Sequence, residues 1–99
     1  MRFDSGTIDI PSAGTRVQIS NTNDRVLSIE IHARAGNTGV IYFGRDDVSS
    51  TNGREIAKGA TVELDFTFAA NLHGSERFSS FYVDAATNGD DADFMVILA

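Results

Sequence analysis

The chain has 99 residues, a net charge of −6 from fourteen acidic and eight basic side chains, an apolar share of 41% and no cysteine. This length suits one domain that buries roughly 60–65% of its unfolded surface, and the apolar share is too high for a disordered segment. The acidic balance argues against nucleic acid and against an anionic membrane, since the basic residues are scattered singly, and the missing cysteines remove disulfides, thiol catalysis and Cys-type zinc sites. Met1 to Gly6 carries no apolar signal core, and no apolar run approaches the ~20 residues that span a bilayer, so synthesis in the cytoplasm is expected.

Taken in order, the chain alternates with the period of a β-strand. Thr7 to Ile10 reads as a short first strand ended by Pro11, which has no backbone N–H to give a ladder. Residues 1–15 are allowed for as an N-terminal arm on a single domain spanning 1–99. Arg16 to Ser20 is expected as a strand with Val17 and Ile19 inward, and Asn21 to Asp24 as a turn. Val26 to Arg34 alternates most clearly: Leu27, Ile29, Ile31 and Ala33 on one face, Ser28, Glu30, His32 and Arg34 on the other. Val40 to Phe43 is apolar on both faces, as for a strand covered by neighbours. A polar loop, Asp46 to Asn52, leads to Asn52-Gly53, whose residue types favour a left-handed tight turn.

Glu55 to Ala57 reads as a short strand before a turn at Lys58-Gly59. Thr61 to Phe68 alternates again, with Val62, Leu64, Phe66 and Phe68 inward. Ala69 to Leu72 is at most a helical turn. Phe81 to Val83 is a strand, Thr87 to Asp91 a turn, and Phe94 to Leu98 the last strand. About seven or eight short strands with frequent turns predict an all-β fold, a small antiparallel β-sandwich or jelly-roll-like barrel.

Residues with catalytic or ligating chemistry are sparse. His32 and His73 have no metal spacing to each other or to a carboxylate motif, and His32 reads as half of a solvated cross-strand pair. The run Asp84 to Asp93 gathers hard oxygen donors at Asp90, Asp91 and Asp93. As a calcium loop starting at Asp84, however, it puts Ala86 at the third position and Met95 where a bidentate Glu belongs. A solvated hairpin turn is the expectation there, and Asp46-Asp47 is expected to cap backbone amides. No catalytic, cofactor-binding or metal residue is assigned, and no cofactor is expected.

Asn37-Thr38-Gly39-Val40-Ile41-Tyr42-Phe43-Gly44, then Asp47-Val48-Ser49-Ser50-Thr51-Asn52-Gly53, then Phe81-Tyr82-Val83-Asp84 and Asn88-Gly89-Asp90 carry a resemblance. Over Arg16 to Leu98 the chain resembles small β-sandwich structural proteins of tailed-bacteriophage particles. The resemblance implies a non-enzymatic virion protein, most simply a capsid decoration (cement) protein that binds and stabilises the shell of major capsid protein. The alternative it leaves is a host-receptor or glycan-binding module of a tail or fibre, with Tyr42 and Tyr82 as candidate contacts. It assigns Asn37, Gly39, Gly44, Asn52 and Gly53 to turns. Apolar side chains on both faces of Val40–Phe43, and Met95 with Ile97 opposing Phe94, Val96 and Leu98, point to cover by a loop or another subunit. A homotrimer on the capsid surface is the expectation.

Overall fold

The structure, a computed structural model, describes residues 2–66 and 76–99. Phe68, the helical turn at Ala69 to Leu72 and His73 lie outside the described residues. Eight strands form: β1 (Arg2–Ile10), β2 (Val17–Gln18), β3 (Val26–Ala33), β4 (Ile41–Gly44), β5 (Arg54–Ile56), β6 (Thr61–Asp65), β7 (Tyr82–Ala85) and β8 (Asp90–Leu98), with a 3-10 turn at Phe78–Ser80.

Pairing is antiparallel throughout, β1 with β8, β2 with β7, β3 with β6 and β4 with β5. The first half of the chain therefore runs as one long ribbon against the second half. Folding that ribbon over itself brings β8 beside β3 and β7 beside β4. The result is two four-stranded sheets, β1-β8-β3-β6 and β2-β7-β4-β5, which is the jelly-roll connection of a β-sandwich.

The alternation predicted for β3 is what builds the core. Ile29, Ile31 and Ala33 are buried and join a cluster with Ile41, Phe43 and Val83 of the facing sheet. Each such side chain contributes about 1.5–3 kcal/mol relative to exposure. The pattern breaks at one point. The register of β3 against β8 shifts between Val26 and Ser28, so Val26 is buried and Leu27, expected inward, is only half-buried. An extra residue in one strand re-aims its neighbours in this way.

Three further expectations are corrected. Thr7 to Ile10 is only the end of β1, which begins at Arg2 and pairs with β8 along its whole length, so most of the stretch allowed for as an arm is strand. A Cβ at Gly6 would come 2.9 Å from the rim of the Phe94 ring, which lies across the strand at that point and would have to shift. The last strand begins at Asp90 rather than Phe94. Val48, read as part of a polar loop, is buried beneath the Asn52-Gly53 turn. Gly53 has φ +120°, and a side chain there would meet Val48 Cγ2 at 2.7 Å and the Phe43 carbonyl at 2.8 Å, so only glycine fits.

Candidate functional site

The acidic run Asp84 to Asp93 is distributed over two strands and two faces. Asp84 lies in β7 and Asp90, Asp91 and Asp93 in β8; the turn itself is confined to residues 86–89, with Gly89 at φ +82°. The solvated hairpin turn expected at Asp90, Asp91 and Asp93 is therefore corrected to strand. Among the described residues no group of three or more His, Cys, Asp or Glu is arranged to hold a metal ion.

The buried members of the run are loop clamps. Asp90 is buried, and its carboxylate accepts the backbone N–H groups of Thr38 at 3.0 Å and Gly39 at 2.9 Å. Asn37 works the same joint from the other side. Its Nδ2 donates to the Asp91 carbonyl at 2.8 Å and its Oδ1 accepts the Asp91 N–H at 2.9 Å. Asp84, also buried, accepts the N–H groups of Gly14 at 3.0 Å and Ala85 at 2.8 Å. A buried carboxylate is tolerated when amide donors replace its water. These contacts tie the β3–β4 loop to the start of β8 and the β1–β2 loop to the end of β7.

The outward members lie on the outer face of the β1-β8-β3-β6 sheet, which reads as rows running across the strands. One row holds Thr7, Asp93, His32 and Thr61. In it Thr7 Oγ1 donates to Asp93 Oδ1 at 2.8 Å, His32 Nδ1 and Thr61 Oγ1 are 3.0 Å apart, and Arg34 Nε lies 3.7 Å from Asp93. His32 is thus a cross-strand polar partner, as expected, with Thr61 as the residue it meets. In the neighbouring rows Asp9 stands directly opposite Asp91, and Glu30 opposite Glu63. Like charges placed so are destabilising. The Asp91 carboxyl is held above its ordinary value of 3.8, first by burial and then by the hydrogen bond and charge of Asp9, with Asp90 adding and Arg34 opposing.

Towards the other end the face turns apolar. Phe3 stands opposite Ile97, and Met95 opposite Ser5, so Phe3, Ile97 and Met95 adjoin one another beside the outer edge of β1. Phe3 is 59% exposed and Met95 45%. Sequence reasoning flagged Met95 and Ile97 as needing cover but missed Phe3, because it placed the chain before Thr7 outside any strand.

A second surface opens on the opposite side of the sandwich. β5 and β6 are the outer strands of their sheets, and beside them lies a cleft of about 610 Å³ walled by Phe43, Phe66, Phe81 and Val62. Phe43 and Phe81 stack at 5.8 Å between centroids, and Arg45 bridges to Glu76 at 3.2 Å at the mouth. Leu64, expected in the core, lines this cleft and is 38% exposed; its strand is an edge with only part of the facing sheet across from it.

Tyr42 and Tyr82 sit on adjacent strands β4 and β7, both half-buried. Asp46 and Asp47 are exposed, and the Asp47 contact is made by its backbone carbonyl, which accepts from Asn52 Nδ2 at 3.1 Å.

No protein-family model and no curated protein matches the chain by sequence. Among solved structures it is similar to a protein described under "Bacillus endospore appendages form a novel family of disulfide-linked pili", at 15% identity and TM-score 0.47, over 99% of this chain and 88% of that one. It is also similar to the SPBc2 prophage-derived protein YomS, at 10% identity and TM-score 0.49, over 100% of this chain and 96% of the other. Similarity at this level assigns no residue a role.

Proposed function

We propose that the chain is a non-catalytic structural protein of a tailed-bacteriophage particle, a decoration protein that binds the shell of major capsid protein and stabilises it. The observation that carries this reading is the exposed apolar group of Phe3, Ile97 and Met95 on an otherwise polar, acidic sheet face. Apolar side chains gathered at one place on a small domain mark a contact surface. The residues behind the phage resemblance support the same reading, because they work for the scaffold. Asn37 clamps a loop to β8, and Gly53 fills a position that only glycine occupies. A protein bound to the assembled shell and not to its dispersed subunits raises the shell's stability by mass action.

Quantitative mass spectrometry of particles from cells expressing this chain tests the proposal. Hundreds of copies per particle are expected, together with lower heat resistance of particles made without the chain. A few copies per particle would move the protein to the tail, and none would overturn the reading.

A further inference from the structure

Every sheet ends in strands whose outer backbone groups are open to pairing, and natural proteins blunt such edges by shortness or charge. Among the described residues, three of the four edges are blunted in that way. β2 has two residues and β5 three, and β6 carries the acidic side chains Glu63 and Asp65. β1 is different. It has nine residues, and among the described residues no strand pairs with its outer side. Arg2 to Ser5 is exposed on both faces. Taken by itself the stretch Arg2 to Ile8 carries one cation, Arg2, which also reaches Asp24 at 2.7 Å, and one anion, Asp4, in a chain of net charge −6.

We propose that β1 is the contact through which two copies of this chain associate, pairing antiparallel about a two-fold axis so that the β1-β8-β3-β6 sheets of both copies become continuous. The inference stands on the strand edge alone and does not depend on a role in a phage particle. A second copy is the occupant because the edge can pair with itself with no like charges opposed, in a chain whose net charge of −6 otherwise holds copies apart. It replaces the expected trimer with a two-fold pair.

The register follows from cross-strand chemistry. Opposed residues in such a pair face the same side of the sheet. A pair centred on Phe3 engages only the start of the strand, and one centred on Asp4 sets that carboxylate against its own copy. A pair centred on Gly6 puts Phe3 against Asp9, which Asp91 already crowds. Centred on Ser5, Phe3 faces the partner's Thr7, Asp4 the partner's Gly6 and Arg2 the partner's Ile8, with no like charges opposed. Because Met95 is opposite Ser5 within each copy, the two methionines then flank the facing serines on one row, and the exposed apolar groups of both copies lie along the joint.

The chain has no cysteine, so introduced thiols report this register cleanly. Light scattering in raised salt, which screens the net charge, is expected to give a mass near twice 10.6 kDa at high protein concentration. Oxidised Ser5→Cys is expected to form a covalent dimer, whereas Asp9→Cys, far from the axis, is not. Ser5→Lys is expected to return the protein to monomer, with the melting temperature of dilute, monomeric protein unchanged, since Ser5 is exposed. A wild-type mass that stays at the monomer value, a trimer, or equal cross-linking of Ser5→Cys and Asp9→Cys would each overturn the proposal.

Discussion

Asp90 and Asp91 are neighbours in sequence and opposites in consequence. Asp90 points into the sandwich, where two loop amides donate to its carboxylate, and Asp91 points out, where it confronts Asp9 across the ladder. The same residue type one step along a strand changes from a clamp to a repulsion, because the strand turns successive side chains to opposite faces. An acidic run in a sequence is therefore two populations once it lies in strands: here the buried carboxylates hold loop amides, and the exposed ones meet neighbours across the sheet.

The sharpest way to break this contrast is Asp90→Ala, which strips the acceptor from Thr38 and Gly39 and leaves their N–H groups beside a buried gap. A loss of about 2–4 kcal/mol is expected, from charge-assisted bonds removed and donors left unpaired, read by chemical denaturation. Asn37→Ala removes both bonds to the Asp91 backbone and is expected to cost about 1–3 kcal/mol in the same measurement. On the outer face the sign reverses. Glu63→Lys turns the Glu30–Glu63 opposition into an opposite-charge pair and is expected to stabilise by about 0.2–1 kcal/mol, fading as salt is added. Equal losses from Asp90→Ala and Asp91→Ala would erase the distinction between the two faces.

The smallest effect is a pH dependence. The folded Asp91 carboxyl binds its proton more tightly than the unfolded chain does, since its value is raised above 3.8. Between the ordinary and the raised value the folded state therefore holds more protons, and stability falls as pH rises through that window. Below the window the contribution is fully present, and above it the contribution is lost. Asp91→Asn is expected to flatten this part of the stability–pH curve while leaving the Asp90 clamp in place. An unchanged slope in the variant would show that Asp9 and Asp91 do not feel each other.

Legibility in the sequence followed burial on one face. β3 could be read because Ile29 and Ile31 alternate with Glu30 and His32, and the Gly53, Gly59 and Gly89 turns could be read because all three glycines adopt positive φ. The first residues of β1 could not, since Arg2 to Ser5 meets solvent on both sides and leaves no apolar period to detect. Val48 was hidden by polar neighbours, because a single buried residue in a loop has no period at all. The roles of Asp84 and Asp90 were hidden for a different reason: their partners are backbone amides of Gly14, Thr38 and Gly39. Such donors belong to every residue type but proline, and only the tertiary path brings them to the carboxylates.

The pairing of β1 with β8 also sets a schedule for synthesis. Arg2 lies opposite Leu98 and Ile10 opposite Asp90, so the first strand leaves the ribosome long before its ladder partner exists. No early hairpin can shelter it, and every closing contact of that sheet joins distant parts of the chain. Topologies of this kind fold in about milliseconds to seconds rather than microseconds. Until β8 emerges, the nascent chain carries an unpaired strand bearing Phe3, and the production of this protein is exposed to aggregation most at that moment.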